Sequence, residues 1–262
     1  MANMTASASA AQVAAELANA TFDEVPRLLE RYSDDPRAQV IKACERARRR
    51  CEKEASERER VLEMYRAMEE FSFGETVLGV DEVGRGSVAG PLTVCAVCLP
   101  KDPIVWGVND SKKLSAAKRE ILAAQIGEVA RAVGVCHIPP ARIDEVGMAR
   151  VLREAVAGAV ADTGLTPDCV LMDGNPLGAV PNEVDVVHGD ARIACIAAAS
   201  IVAKVTRDEL MCELDQEVPE YHFAASKGYA SPEHIAAIRK YGLSPYHRAS
   251  FCGNFLQTQP LF

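Results

Sequence analysis

Hydrophobic and polar positions recur with a helical period over the first 72 residues of the chain. Apolar residues stand three or four apart between residues 22 and 32, Asp35-Pro36 marks a break, and a long charged helix is predicted from about residue 37 to 71. The pairs Glu45/Arg49 and Glu54/Arg58 would support an exposed helix. We therefore expect a separate helical module over residues 1–72.

From residue 76 the pattern changes to short apolar runs separated by longer amphipathic segments. It predicts strands at 76–80, 91–99, 132–138, 169–172 and 184–187, and helices at 115–129, 144–162 and 191–214. A short turn favours antiparallel pairing of the first two strands, whereas intervening helices favour parallel crossovers. The prediction is an α/β domain over residues 73–218, with a mixed sheet flanked by helices. It is followed at 219–262 by a segment of loops, one short helix after Ser231-Pro232 and a tail, which is expected to contribute to substrate binding.

Composition adds the class and the compartment. With 262 residues, 48% hydrophobic and 25% charged, the chain is typical of a folded globular protein. No segment approaches the roughly 18 uninterrupted apolar residues of a spanning helix, so we expect a cytoplasmic protein with no membrane partner. Nine cysteines are expected to be reduced thiols. Cys95 and Cys98 form a CxxC inside a predicted buried strand, which favours packing over metal binding.

The formal charge of −8 weakens a nucleic-acid-binding function, because Lys and Arg supply most nonspecific affinity for phosphates. It does not exclude one, since bound cations would offset several acids and basic residues cluster locally. These clusters are Lys112-Lys113, Lys204 with Arg207, Lys227, and His247-Arg248. The run Arg48-Arg49-Arg50 could contact phosphates, but a solvated helix face is the favoured interpretation.

Four acids carry the candidate chemistry: Asp81, Glu82, Asp173 and Asp190. Asp81 and Glu82 end an apolar strand, Asp173 closes another, and Asp190 precedes a predicted helix. Alone, Asp173 could be a turn residue and Asp190 an N-cap. Neighbouring strand residues point to opposite faces, so Asp81 and Glu82 can share an ion only where the strand bends or bulges. Together, the four carboxylates suit magnesium or manganese.

Three further features could contact a ligand. Gly84-Arg85-Gly86 follows the first strand but leads into another β-like run, which argues against a dinucleotide fold. Glycine instead lets the backbone approach a sugar or phosphate closely; a plain hairpin turn is the alternative. Lys112 would suit a phosphate, and Tyr229 could stack on a sugar or base. Solvation and ordinary packing are the respective alternatives.

These residues lie in motifs that closely resemble bacterial type 2 ribonuclease H, ribonuclease HII. The resemblance spans roughly residues 76–252 and rests on the motifs VDEVGRG from Val80, NDSKKLS from Asn109, DGN from Asp173, GD from Gly189, AAASIVAKVTRD from Ala197 and KGY from Lys227. It implies a ribonuclease H-like fold, with Asp81, Glu82, Asp173 and Asp190 as catalytic acids. It also implies that Gly84-Arg85-Gly86 senses a ribose 2′-hydroxyl and that Tyr229 stacks on a sugar. The chain departs from the common pattern at Ser87, His188 and Ala191.

The implied reaction is hydrolysis of the phosphodiester on the 5′ side of a ribonucleotide, in duplex DNA or an RNA–DNA hybrid, with two divalent cations, magnesium or manganese. Such an enzyme would remove ribonucleotides during DNA repair. The alternatives are a type 3 ribonuclease H, a DNA nuclease of the same fold, or a catalytically silent nucleic-acid-binding protein. The last six residues, 257–262, loosely resemble peptides that bind the sliding clamp; a tail packed on its own domain is the alternative.

Overall fold

The computed structural model describes residues 8–71 and 76–256 of the chain. The chain divides into two compact units, Met1–Leu62 and Glu63–Phe262, and we describe each by itself. The predicted tail segment at 257–262 lies outside the described residues. The domain boundaries expected near residues 72 and 218 stay predictions.

The first unit is helical, as its periodicity predicts. It contains α1 (Ala10–Asn19), α2 (Val25–Arg31) and the larger part of α3 (Ala38–Glu70). Its core is apolar and fully buried at Val13, Leu17, Val25 and Val40. Ser9 caps α1 in a capping box with Gln12.

Two side-chain expectations in α3 have different outcomes. Glu54 and Arg58 form the expected ion pair at 2.9 Å, whereas Glu45 and Arg49 form no ion pair in the described part of the chain. Arg50, from the basic run, donates to the carbonyls of Leu17, Ala18 and Ala20 at 3.0, 2.6 and 2.8 Å. Because the last carbonyls of a helix lack intrahelical donors, Arg50 serves the end of α1.

The second unit is a five-stranded mixed sheet flanked by helices, as predicted. The strands are β1 (Val77–Val83), β2 (Leu92–Cys98), β3 (Ala132–Ile138), β4 (Cys169–Asp173) and β5 (Glu183–Val186), in the order β3-β2-β1-β4-β5. β2 pairs antiparallel with β1 and β3, while β4 pairs parallel with β1 and β5. β1 therefore lies where the sheet changes from antiparallel to parallel pairing.

The helices of the second unit are α4 (Ala116–Val129), α5 (Pro140–Val146), α6 (Met148–Asp162), α7 (Ala194–Glu217), α8 (Phe223–Ser226), α9 (Pro232–Tyr241) and α10 (Ala249–Leu256). The end of α3 also belongs here, where the Tyr65 hydroxyl accepts from the Val105 N–H at 2.9 Å. In the described residues no helix combines the length and the apolar character that crossing a membrane requires. All nine cysteines are free.

Three expectations about these elements were wrong. β3 pairs antiparallel with β2 although α4 lies between them in the chain. The connection that contains α4 returns to the edge of the sheet where β2 ends, so the first residue of β3, Ala132, pairs with the last residue of β2, Cys98. The helix expected at 144–162 is two helices, broken at Gly147, whose φ of +79° is left-handed. α7 begins at Ala194 rather than 191, because residues 189–191 form a 3₁₀ turn.

The two faces of the sheet pack against different helices. Leu78 and Val80 of β1 join Val94 of β2 in the core that packs on α5 and α6. On the opposite face α7 packs directly on β1: a Cβ added at Gly79 would lie 2.2 Å from the Cys195 backbone. Since strand side chains alternate, Asp81 projects to the same face as Gly79, beside α7. Cys95 and Cys98 likewise project to opposite faces of β2, and both are buried.

After α7 the chain packs around the start of β2. Tyr221, Phe223 and Ile238 are buried in one apolar cluster together with Val88 and Ala89, from the segment between β1 and β2. The short helix predicted after Ser231-Pro232 is confirmed as α9, and α8 and α10 are additional helices in the described part of this segment. Together they support the turn that follows β1.

Candidate active site

Asp81 and Asp173 lie side by side at the carboxyl ends of the parallel strands β1 and β4. Val80 and Met172 form the last residue pair between β1 and β4, and each aspartate is the next residue along its strand. Both side chains therefore project to the α7 face. In open α/β sheets this edge is the usual position of a ligand site.

Asp190 reaches the same edge from the 3₁₀ turn between β5 and α7. The N–H of Gly189 donates to the Asp173 carboxylate at 2.7 Å, so the turn is anchored on β4. Asp190 caps no helix, since α7 begins with Ile193 as its N-cap residue. The alternative interpretation of Asp190 as an N-cap was therefore wrong.

Glu82 approaches from the other side of β1. The β1–β2 register runs without a bulge from Gly79 to Val83, so the bulge expected at Asp81 and Glu82 is absent from this ladder. The side chain of Glu82 is 20% exposed, and its carboxylate lies 3.4 Å from Arg85. The regular strand thus separates the two neighbouring acids by face, and only the length of Glu82 brings its charge toward the others.

We call the four acids the acid cluster, and the pKa is raised for three of them, Asp81, Glu82 and Asp190. Burial, with the charges of Glu82 and Asp173, raises the pKa of Asp81 to about 8, against the opposing effect of the Ser200 hydroxyl. Burial and the charge of Asp173 also raise the pKa of Glu82 and of Asp190. Only 8% of Asp81 and 7% of Asp190 are exposed. The cluster therefore concentrates negative charge that the protein leaves largely uncompensated.

The donor set fits a hard divalent cation, because it consists of carboxylate oxygens whose repulsion a cation would relieve. Within residues 8–71 and 76–256, no three His, Cys, Asp or Glu side chains already surround one point as metal ligands. The acids contact protein donors instead: Asp81 the Glu82 N–H at 2.7 Å, and Asp190 the Lys112 ammonium at 3.8 Å. To bind an ion, the carboxylate of Glu82 would have to turn away from Arg85, and that of Asp190 from Lys112.

Two of the predicted substrate-contacting residues pair with the acids: Lys112 with Asp190 at 3.8 Å and Arg85 with Glu82 at 3.4 Å. The side chain of Lys112 is 80% exposed beside Asp190. Burial lowers its pKa, but the charges of Asp190, Asp110, Asp81 and Asp173 outweigh this effect, and the pKa is raised. Lys112 thus stays charged over the acid cluster.

The turn Gly84-Arg85-Gly86 directly follows β1. Gly84 has φ +83°, and a Cβ there would lie 2.3 Å from Nε of Arg207, so only glycine fits. Gly86 has open space instead. In the described part of the chain the N–H groups of Arg85 and Gly86 have no acceptor. The turn thus presents two backbone donors to solvent.

Two fully buried arginines hold this turn from below. Arg207 donates to the carbonyls of Pro91, Lys227 and Ala89 and to the Ser87 hydroxyl, at 2.8–3.1 Å. Arg248 donates to the carbonyls of Gly90 and Arg85 at 2.9–3.2 Å. We call these two residues the arginine pair. Burial lowers the pKa of both, that of Arg248 to about 10. An arginine side chain in a protein stays protonated at neutral pH.

The arginine pair corrects the expected basic clusters. Arg207 and Arg248 are 0% exposed and His247 is 5% exposed, so they form no basic surface. Lys204 pairs with Asp208 at 2.7 Å, and Lys227 donates to Cys212 at 3.0 Å. Of the predicted clusters in the described residues, Lys112-Lys113 is the one whose side chains are mostly exposed to solvent, although each lies within 4 Å of an aspartate.

Tyr229 lies beside the turn and is 40% exposed. Gly228 before it accepts from the N–H groups of Val88 and Ala89 at 2.8 and 3.1 Å, and the Arg207 guanidinium lies 5.7 Å from the Tyr229 ring centre. The structure thus brings Tyr229 to the glycine turn through backbone bonds and Arg207.

Several residues at the site were not predicted. Ser200 on α7 contacts Asp81 and bonds to Ser111 at 2.9 Å, and His234 and His247 lie under Tyr229. A signal existed for Ser200, a lone hydroxyl in the apolar run 194–203. Ser87, a departure from the common pattern, bonds to Gly84 and Arg207. Ala191 lies in the 3₁₀ turn, and the exposed His188 precedes it at φ +56°.

Comparison with known proteins identifies the family. The description "Ribonuclease HII" matches residues 78–254, and "Ribonuclease HII N-terminal domain" matches residues 9–70. Ribonuclease HII of Lachnoclostridium phytofermentans is 44% identical over 231 residues, which cover 86% of this chain and 89% of that protein. The chain belongs to the ribonuclease HII family.

Solved structures agree with this assignment. Ribonuclease HII from Archaeoglobus fulgidus, determined as a complex with PCNA, aligns with a TM-score of 0.60 at 27% identity, covering 70% of this chain and 98% of that one. Bst-RNase HIII in complex with Mn²⁺ aligns with a TM-score of 0.56 at 19% identity over 68% of each chain, and shares the fold. The predicted ribonuclease H-like fold is confirmed. The chain is a ribonuclease HII endoribonuclease, a hydrolase that acts on RNA in RNA–DNA hybrids.

Proposed function

We propose that this ribonuclease HII cleaves the phosphodiester on the 5′ side of a ribonucleotide embedded in duplex DNA, or at an RNA–DNA junction, and thereby begins its removal during DNA repair. The observation that carries the proposal is the arrangement of the acid cluster. Asp81 and Glu82 of this cluster lie near the end of β1, and the glycine turn, with its two open N–H donors, begins three residues after Asp81. Chemistry and sugar recognition would then be adjacent in the chain and in space.

Asp81, Glu82, Asp173 and Asp190 would hold divalent cations. When bound, such cations lower the pKa of the attacking water and stabilise the leaving oxygen. Asp81 is best placed to be central, because it is buried and the charges of both Glu82 and Asp173 act on it. Asp190, near Lys112, lies at the outer side of the cluster. The carboxylate oxygens suit either magnesium or manganese, and the Mn²⁺ in the Bst-RNase HIII structure supports this class of ion.

Gly84-Arg85-Gly86 would read the ribose 2′-hydroxyl through its backbone, since this hydroxyl distinguishes RNA from DNA at one nucleotide. The buried positive charge of the arginine pair lies directly under the turn and would favour a phosphate beside it. Lys112 would neutralise a phosphate over the acids. Tyr229, half-exposed beside the turn, would stack on the neighbouring deoxyribose.

The test is cleavage of duplex DNA that contains one ribonucleotide, with DNA of the same sequence as the control. We expect a single cut on the 5′ side of the ribonucleotide with Mg²⁺ or Mn²⁺, no cut in EDTA, and no cut in the control duplex. Cleavage restricted to long runs of RNA would contradict the proposal and indicate a type 3 specificity. Cleavage of all-DNA duplexes would indicate a DNA nuclease.

We further propose that residues 257–262 bind the sliding clamp, an idea supported by their composition and by the PCNA complex of the Archaeoglobus relative. Deletion of Leu261 and Phe262 should abolish clamp binding; unchanged binding would contradict the idea. We place the protein in the cytoplasm, because its nine cysteines are free and because related ribonucleases HII are bacterial.

A further inference from the structure

Two buried histidines connect Tyr229 to the rest of the second unit. His234 lies in the first turn of α9, where Ser231 caps its N–H at 3.2 Å, and is fully buried. Its Nδ1 lies 2.8 Å from the Tyr229 carbonyl, and its Nε2 lies 3.0 Å from Nε2 of His247. Nδ1 of His247 lies 3.0 Å from the Ser244 N–H.

The outer partners fix where each proton resides. A carbonyl only accepts, so His234 must carry its proton on Nδ1 and leave Nε2 bare. A backbone N–H only donates, so His247 must leave Nδ1 bare and carry its proton on Nε2. These two assignments are independent, yet they agree where the rings meet: Nε2–H of His247 donates to the bare Nε2 of His234.

The surroundings make this arrangement costly to change. The rings of Tyr221 and Phe223 pack against both histidines, with centroid separations of 4.7 Å from Tyr221 to His247 and 5.3 Å from Phe223 to His234. An added proton would set two N–H groups against each other in this apolar enclosure. Burial accordingly lowers the pKa of both rings, that of His247 to about 4.

The two histidines are also connected to the segment that directly follows the glycine turn. His247 pairs with Ala89 in an isolated bridge, and the next residue, Arg248, donates its N–H to Val88 at 2.8 Å. One chain of bonds thus runs from the segment that holds the turn, through both imidazoles, to the peptide of Tyr229. The Ser231 N–H at 2.8 Å is the other donor to the Tyr229 carbonyl, and it comes from the same loop.

We propose that His234 and His247 form a directional hydrogen-bond relay that positions Tyr229 against the glycine turn, so that they are positioning residues for recognition of the ribonucleotide junction. This inference rests on the proposed stacking role of Tyr229. Neither histidine contacts the acid cluster, and the relay therefore affects which nucleotide is selected rather than the chemical step.

Two substitutions of His234 distinguish its bond to the Tyr229 carbonyl from its bond to His247. The amide nitrogen of Asn lies as many bonds from the backbone as Nδ1 of His, so His234→Asn retains a donor for the Tyr229 carbonyl. The amide of Gln lies as far as Nε2, so His234→Gln retains the contact to His247 and loses that donor. The readout is the ratio of kcat/KM on a duplex with one ribonucleotide to kcat/KM on an all-RNA strand paired with DNA.

We expect Tyr229→Ala to lower this ratio roughly tenfold and His234→Gln to lower it by about three- to tenfold. His234→Asn should keep the wild-type ratio, and kcat on the all-RNA hybrid should change little in the two His234 variants. Equal ratios for His234→Gln and wild type, or equal losses in both His234 variants, would overturn the relay. If the wild type makes no cut at a single ribonucleotide, the proposed function fails instead.

A measurement without substitution guards against unfolded variants. ¹⁵N chemical shifts of the imidazoles in the labelled wild-type protein at neutral pH should show His234 as the Nδ1–H tautomer and His247 as the Nε2–H tautomer. Any other pair of tautomers would overturn the relay, whatever the function.

Discussion

Asp81 and Asp190 of the acid cluster are buried, as is the arginine pair, but the protein treats the two kinds of charge in opposite ways. Arg207 and Arg248 are 0% exposed, and each of their guanidinium nitrogens donates to a carbonyl or a hydroxyl. Asp81 and Asp190 are 8% and 7% exposed, yet their nearest charged neighbours are mostly other acids. Burial without compensation costs free energy in the folded protein.

The difference separates framework from site. The arginine pair satisfies carbonyls of three chain segments, around residues 85–91, 207 and 227, and so fixes the shape of the turn. The acid cluster retains charge that an ion from outside would balance. A cluster that is unfavourable in the free protein is expected where function requires it.

The largest effect is expected from removing one acid charge. Asp81→Asn and Asp173→Asn should each reduce cleavage by about a thousandfold or more, because the amide keeps the volume but loses the charge that holds the cation. Steady-state cleavage of a duplex with one ribonucleotide measures this loss. Glu128→Gln, an exposed acid on α4, is the matched control and should cleave normally. Near-normal activity of either Asp variant would show that its carboxylate is structural.

Breaking the arginine framework should instead reduce stability. Arg207→Met leaves the carbonyls of Pro91, Lys227 and Ala89 buried without this donor, and we expect a loss of about 3–5 kcal/mol in the free energy of unfolding. Lys204→Met, one turn earlier on α7, removes a part-exposed ion pair and should cost less than about 1 kcal/mol. Urea denaturation compares the two, and similar losses would refute the framework role.

The glycine turn offers a matched pair of substitutions. Gly84→Ala meets Arg207 at 2.3 Å and needs a left-handed φ, so it should lower the free energy of unfolding by about 2–4 kcal/mol. Gly86→Ala has open space and should change stability by less than about 1 kcal/mol. If the backbone at Gly86 approaches the ribose, that variant should nevertheless lose cleavage. Full activity of folded Gly86→Ala would argue against close approach there.

The smallest effect is expected to be a gain in stability, whereas the substitutions above reduce stability or cleavage. The pKa of Asp81 is about 8 in the folded protein and ordinary when unfolded, so the unfolded state releases this proton first, and stability falls as pH rises from about 4 to about 8. In EDTA at pH 8, Asp81→Asn should therefore be more stable than the wild type, because the amide has no charge that burial penalises. At pH 4 the gain should vanish. Thermal unfolding at both pH values measures it, and a destabilised variant at pH 8 would contradict the account.

The sequence revealed the acid cluster because its signals are local. Asp81, Asp173 and Asp190 each directly follow an apolar run or its turn, and strand ends meet at one sheet edge. The arginine pair and the histidine relay join residues that are far apart in the chain, such as Arg248 and Gly90, and no local pattern marks such contacts. Antiparallel β3 was missed for the same reason, because strand direction depends on the path of a long connection.

Cation binding in the absence of nucleic acid tests the central claim most directly. The melting temperature of the wild-type protein at pH 8 should rise steadily with added Mg²⁺ or Mn²⁺, because an ion that binds only the folded state stabilises it. Asp81→Asn should begin higher in EDTA and show no such rise over the same range. Equal shifts in both proteins, or none in the wild type, would show that the acid cluster is not the cation site.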